Sequence, residues 1–273
     1  MAVPPPVRQL LRTQWRGGEA VTGERAVPEE VPVAFSYDNA AHAVMMATPA
    51  DLEDFAFGFS LTEGIVTDAA EISELEVIGV EVGVNLRMWL TDGPSDAFAA
   101  RRRRYVGPAG CGMCGLESLA EANRAVPVVQ SALRVTGSNI AAAVAALPAG
   151  QLLNMQTRAV HAAAFWQPGH DLIVREDVGR HNALDKLAGA LALRKRAAGQ
   201  GVVVMSSRIS IELVQKAAMI GAPVLVAVSA PTALAVRIAE SAGITLVGIA
   251  RGDGFEVFTH PERVLLGEDE DVA

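Results

Sequence analysis

The chain has 273 residues, room for one large domain or two small ones with a substantial core. Hydrophobic residues make up 51%, much of it alanine, aromatics only 5%, and the net charge is −8, which points to a globular α/β protein with Ala-rich helices and argues against a nucleic-acid coat or a membrane-surface binder. No stretch reads as a bilayer span, and the start, Met1-Ala-Val-Pro-Pro-Pro6, lacks the basic and apolar regions of a signal peptide, so the expected compartment is the cytoplasm, with neither membrane nor nucleic acid as partner.

Taken in order, residues 1–22 mix Pro, Arg and Gly without periodicity and read as a flexible arm. A β-rich segment runs from Val31 to Tyr37, and a helix capped by Asp51 continues to Glu63, with Gly64 as its stop. Residues 74–80 and 83–90 read as a strand hairpin, the second strand alternating Val84, Leu86, Met88 and Leu90. Arg101–Arg104 reads as a solvated basic loop. It precedes Cys111-Gly-Met-Cys114, which holds the only two cysteines of the chain. Leu116–Asn123 looks helical, placing the thiols at a helix N-terminus that favours a thiolate. A helix over 138–147 follows, and His161 precedes an Ala-rich run read as helical.

From about residue 152 the pattern becomes regular. Strands at 171–175, 201–205, 223–228 and 244–249, with a short last one at 255–258, alternate with helices at 182–196, 209–220 and 233–242. This predicts a mainly parallel sheet covered on both faces. The expected division is a 1–22 arm, a smaller α+β part at 23–128 ending in the Cys-x-x-Cys loop and its helix, a C-terminal α/β part at 129–266 that binds the cofactor, and an acidic tail at 267–273.

In open α/β sheets, ligands bind beyond the carboxyl ends of the strands. Four such ends carry polar loops here: Glu176–Asn182, Ser206-Ser207-Arg208, Ser229-Ala-Pro-Thr232 and Arg251–Gly254. Helix N-termini with Arg180, Arg208 and Arg251 suit an anionic ligand, while Ser, Thr or Asn in any one loop also serves as a plain helix cap. His181 and Asp185 stand four apart at a helix start, so Asp185 can orient the imidazole, a pairing that suits proton movement or equally a plain local hydrogen bond. His161 reads by default as a packed histidine, with a ligand-facing role as the alternative.

For the thiols, a structural zinc needs four ligands, and the chain has no second Cys pair unless a dimer supplies one. A zinc deaminase needs a His-x-Glu, which is absent. A redox pair normally follows a strand in a βαβ setting, whereas this one lies in a Gly-rich loop, and a structural disulfide suits an oxidising compartment. Sulfur transfer remains, with no structural metal expected.

Glu176-Asp-Val-Gly-Arg-His-Asn-Ala-Leu-Asp-Lys186, Glu212-Leu-Val-Gln-Lys-Ala-Ala218, Ser229-Ala-Pro-Thr232, Thr259-His-Pro-Glu-Arg263, Cys-Gly-Met-Cys-Gly115 and Leu61-Thr-Glu-Gly-Ile65 together resemble the formate dehydrogenase accessory sulfurtransferase family, FdhD, over about residues 25–265. The resemblance implies a sulfur carrier that takes sulfur from a cysteine desulfurase as a persulfide. It passes that sulfur to the molybdenum bis(molybdopterin guanine dinucleotide) cofactor, its bound substrate, on the way to the formate dehydrogenase apoenzyme. It further implies a cytidine-deaminase-like three-layer core, a homodimer, and Cys111 as the persulfide carrier with Cys114 beside it. The family's cofactor segment lands on Phe255, Glu256, Val257, Phe258, Thr259 and His260, beside the candidate loop residues Arg180, His181, Ser207, Arg208, Ser229 and Arg251. The chain has Thr157-Arg-Ala-Val160 and Ser206-Ser-Arg208 where Thr-Gly-Gly and Ser-Gly-Arg are typical. The alternatives weighed are a non-catalytic cofactor chaperone and a dithiol–disulfide oxidoreductase.

Overall fold

The structure, a computed structural model, describes residues 1–105, 126–252 and 254–266. The Cys pair, the helix expected at Leu116–Asn123 and the acidic tail lie outside the described residues.

Residues 1–22 do not form the expected arm. β1 (Val7–Arg16) and β2 (Glu19–Pro28) pair antiparallel over their full length around Gly17-Gly18, both at positive φ. A Gly-Gly pair between two β-capable runs is a two-residue hairpin signal, because only glycine takes left-handed φ at both turn positions without strain. The Arg and Pro residues around it masked that signal.

β3 (Val31–Tyr37), β4 (Ala40–Ala47), β5 (Ile72–Val80) and β6 (Gly83–Leu90) form one sheet in the order β4-β3-β6-β5, with β3 and β6 parallel. Alternate residues Val33, Phe35 and Tyr37 of β3 and Val84, Leu86 and Met88 of β6 face inward, as the two-residue strand period requires. They meet α1 (Leu52–Thr62), where Phe35 stacks on Phe59 at 4.2 Å and meets Phe55 edge-on at 5.0 Å. α1 stops where expected, at Gly64 with φ 66°. Asp51 makes no side-chain cap, however; it sits at φ 52° and its carboxylate lies 3.5 Å from Arg175. Arg101–Arg104 belongs to α2 (Asp92–Tyr105) rather than to a loop.

The C-terminal half opens with β7 (Val135–Thr136), α3 (Gly137–Gly150) and α4 (Leu152–Thr157). β8 (His161–Trp166), β9 (Ile173–Asp177), α5 (Arg180–Leu193), β10 (Val202–Met205), α6 (Ile211–Met219), β11 (Val224–Ala227), α7 (Ala233–Ser241), β12 (Thr245–Arg251) and β13 (Gly254–Val257) follow. β14 (Val264–Leu265) pairs with β7 and ties the last strand to the start of α3.

Six of these strands form a sheet in the order β13-β12-β11-β10-β8-β9. Its parallel part is β10-β11-β12, and β8, β9 and β13 join antiparallel, so the sheet is more mixed than alternating strands and helices predict. Val202, Val204, Val224 and Val226 face α3; Val203, Met205, Leu225 and Ala227 face α5, α6 and α7. The result is three layers, with α1 and the four-stranded sheet stacked on the far side of α5.

The Ala-rich run after His161 is a central strand, not a helix. Ala162 and Ala164 serve one core, Ala163 and Phe165 the other, and both edges of β8 are hydrogen-bonded. Burial on two faces overrides alanine's helical preference, which is worth under about 1 kcal/mol per residue.

α1 crosses α5 at a glycine pair. A Cβ on Gly58 would lie 1.6 Å from the Asp185 carbonyl oxygen, and one on Gly189 would lie 1.9 Å from that of Asp54. The helices therefore touch backbone to backbone.

Candidate functional site

β8 runs against β10, and β9 runs against β8, so β9, β10, β11 and β12 all point the same way. Their following loops, the four anticipated from the sequence, therefore share one end of the sheet. Beside them sits a cleft of about 780 Å³ between α3 and the ends of β8, β10, β11 and β12. Ile140, Val144, Val228, Ala250 and Phe255 supply apolar walls, and Asn154, His161, Ser206 and Arg251 supply the polar groups. An apolar cavity of this size with a few convergent polar groups is the usual form of a small-molecule site.

Each polar group is held by the fold. Ser206 extends the β8–β10 ladder, its amide donating to the Ala162 carbonyl at 3.0 Å and its Oγ accepting from the Ala162 amide at 2.8 Å. His161, half-buried, is the first residue of β8 and pairs across to Asp177 of β9. Burial and the nearby Arg180 charge hold its pKa below the ordinary histidine value, and Asp177 opposes them. Thr136 caps α3 by accepting from the Asn139 amide at 3.0 Å, so the helix begins beside the cleft at Gly137 and Ser138. β12 bulges between Gly248 and Arg251, where Ile249 adopts φ 52°. A β-branched residue at positive φ costs about 1–3 kcal/mol, and here it accompanies the turn that brings Ala250 and Arg251 to the cleft. The Arg251 Nε donates to the Val228 carbonyl at 3.1 Å.

Of the candidate residues, Phe255 and Arg251 line the cleft. Arg180, His181, Ser207, Arg208 and Ser229 lie in the same row of loops without lining it. Ser207 is buried and its hydroxyl donates to the Arg208 carbonyl; the Ser229 carbonyl accepts from the Ile249 amide. The segment beginning at Phe255 runs away from the cleft. Glu256 pairs with Gly248, and the Phe258 amide donates to Leu246. Val257 packs on the core. Buried Thr259 donates to the Ile244 carbonyl and accepts from the Leu246 amide, and His260 Nε2 donates to the Glu240 carbonyl at 2.9 Å, both at the opposite end of β12. Cys111 and Cys114 lie outside the described residues.

Asp185 does not orient His181. It is wholly buried, accepts from the Thr62 hydroxyl at 2.6 Å and pairs with Lys216 at 2.8 Å. His181 instead faces α6, with its Nε2 3.4 Å from Ser210 Oγ and 3.8 Å from Glu212 Oε2. The i, i+4 spacing of His181/Asp185 on α5 matches that of Glu212/Lys216 on α6, so the pairs form two rungs across the interface. Lys216 also reaches Glu63 at 2.7 Å; burial would lower its pKa, but Asp185 and Glu63 outweigh burial and raise it.

Sequence reasoning also missed a second buried pair, Lys186–Asp177 at 2.7 Å, both fully enclosed. Lys186 donates to the Thr48 carbonyl as well, and Asp177 accepts from the amides of Thr48 and Gly179 and from Asn182 Nδ2. This fixes the loop leading to α5. Among the described residues no three His, Cys, Asp or Glu side chains gather as a metal site, and no helix is long and apolar enough to cross a membrane.

A family model, FdhD/NarQ, matches residues 28–265. The chain belongs to the FdhD/NarQ family. Among curated relatives of this family member, the sulfur carrier protein FdhD of Agrobacterium fabrum is 56% identical over 261 residues, covering 95% of this chain and 96% of that one. The sulfur carrier protein FdhD of Cupriavidus necator is 48% identical, covering 96% and 92%. A crystal structure described as a formate dehydrogenase accessory protein from Desulfotalea psychrophila superposes with a TM-score of 0.74 at 25% identity, covering 96% of this chain and all of that one. The matched stretch of this FdhD/NarQ chain takes in the four-stranded and six-stranded sheets and the cleft; the β1–β2 hairpin precedes all but its first residue.

Proposed function

We propose that this family member is a sulfur carrier in formate dehydrogenase maturation, acting as a persulfide sulfurtransferase in the cytoplasm, as a homodimer. The Cys111 thiolate attacks the outer sulfur of a cysteine desulfurase persulfide. The donor's S–S bond breaks, the donor thiolate leaves with the bonding pair, and a persulfide forms on Cys111. Delivery as sulfide takes two electrons, which Cys114 supplies: its thiolate attacks the Cys111 sulfur, the outer sulfur leaves as hydrosulfide, and a Cys111–Cys114 disulfide remains.

The acceptor in this reading is the molybdenum bis(molybdopterin guanine dinucleotide) cofactor, bound as substrate with a nucleotide arm in the strand-end cleft. Its volume, its apolar walls, Arg251 and the backbone of Gly252 and Gly254 suit such an arm. The observation that carries the reading is 56% identity to a sulfur carrier over nearly the whole chain. The sulfurated cofactor then passes to the apoenzyme.

The test is intact-mass analysis after incubation with a cysteine desulfurase and cysteine. Wild type should gain one sulfur atom, Cys111→Ala should gain none, and a formate dehydrogenase should stay inactive with Cys111→Ala. Activation that survives loss of both thiols would favour a cofactor chaperone. Disulfide reductase activity without a sulfur adduct would favour a dithiol oxidoreductase.

A further inference from the structure

α4 is capped from outside itself. The N-cap residue of a helix normally accepts with its own side chain from the second or third helical amide. Here those amides, of Leu153 and Asn154, donate to the two carboxylate oxygens of Glu176 on β9, at 2.7 and 2.8 Å. Gln151, the N-cap residue, makes no side-chain cap, and its carboxamide has no hydrogen-bond partner among the described residues. Gln151 is nevertheless only 9% exposed, and it lines the cleft. An enclosed amide without a partner costs stability, so an apolar side chain would suit this position better if packing were its purpose.

The cleft has two chemically different ends. It follows α3 from Gly137 and Ser138 to Leu147 and Pro148, about 17 Å at about 1.5 Å per residue. Phe255 marks the first end, 3.7 Å from where a Cβ on Gly137 would sit, and next to it the β12–β13 turn brings Arg251. Among the described residues Arg251 is the one Lys or Arg that lines the cleft. At the other end stand Gln151 and, three residues on, Asn154, with His161, whose ring burial and Arg180 favour as neutral. A long site with a cation at one end and neutral carboxamides at the other fixes the direction of an elongated anionic ligand.

We propose that Gln151 is the specificity-determining residue of the cleft: its carboxamide selects the base of the nucleotide arm, which lies toward α4, while the phosphates lie toward Arg251. The proposal rests on the reading above that a nucleotide arm occupies the cleft. A carboxamide sets an N–H donor beside a carbonyl acceptor in one plane. The lactam edge of guanine also sets an N–H beside a carbonyl, so the two can pair by two hydrogen bonds. Glu176 makes this possible, because by capping α4 it releases the Gln151 side chain from the helix end.

The experiment is calorimetric titration of full-length protein with GDP and with ADP, at about 0.01 M and about 0.15 M salt, between which the screening length falls from about 30 to about 8 Å. Wild type should prefer GDP. Gln151→Leu should weaken GDP by about tenfold or more, the scale of two lost neutral hydrogen bonds, by the same factor at both salt concentrations. It should weaken ADP less, so that the preference falls; a merely structural role would weaken both nucleotides alike. Arg251→Gln should weaken both nucleotides equally, and more at low salt than at high. Equal affinity of wild type for GDP and ADP, or an unchanged preference in Gln151→Leu, overturns the proposal. If Gln151→Leu fails to fold, Gln151→Met, unbranched and of similar length, decides on the same ratio. Absence of binding of either nucleotide to wild type would instead overturn the nucleotide-arm reading.

Discussion

The α1–α5–α6 interface and the strand-end cleft beside α3 are built on opposite principles. At the interface, Gly58 and Gly189 remove every side-chain atom that would separate α1 from α5, and two buried ion pairs, Lys216–Asp185 and Lys186–Asp177, are enclosed beside the contact. In the cleft, small residues of α3 such as Ala141 and Ala145 leave space unfilled, and a single cation, Arg251, lines it among the described residues. Where the chain needs rigidity it closes space and encloses paired charge. Where it needs a ligand it keeps space and few fixed polar groups.

Substitutions on the two sides should separate accordingly. The largest effect is expected of Gly58→Ala. Its Cβ would meet backbone atoms that cannot rotate away, so the helices must part. The loss should exceed about 3 kcal/mol in urea unfolding, at the upper end of overpacking costs. A well-folded Gly58→Ala protein would show that the crossing is loose. Next comes Lys186→Met, which leaves Asp177 buried without its counterion and should cost about 3–5 kcal/mol. The double variant Asp177→Asn, Lys186→Met should recover part of that loss. Smallest in stability is Ala141→Phe, on the exposed cleft wall, which should stay within about 0.5 kcal/mol of wild type. Its nucleotide affinity should nevertheless fall at least about tenfold, the equivalent of about 1.4 kcal/mol. Unchanged affinity would move the ligand out of the cleft.

The class of fold was legible because β10, β11 and β12 are short apolar runs between amphipathic helices, and such runs are buried whatever surrounds them. The alignment of the four polar loops followed from the same pattern. β8 was not legible, since His161-Ala-Ala-Ala-Phe-Trp carries alanine, a helix former, at three of its four core positions and becomes a strand only through its neighbours. The rungs were half legible. Spacing of four places His181 and Asp185 on one face of α5, but says nothing about which helix lies opposite, and so the ring was assigned to the wrong carboxylate. Phe255 was found at the cleft and Thr259 and His260 at the far end of β12, because a strand that starts at a site must leave it within a few residues at about 3.3 Å each.

The hairpin of β1 and β2 pairs ten residues with ten, yet among the described residues no third strand joins it, and Leu11 and Trp15 stand mostly in solvent. It rests on the body through β2, where Arg25 donates to the Thr157 carbonyl at the end of α4. A two-stranded ribbon with so little backing is only marginally stable alone. Its amides will therefore exchange with solvent by local opening, fastest at Gly17-Gly18 and progressively slower toward Pro28, on a clock separate from that of the sheets behind it.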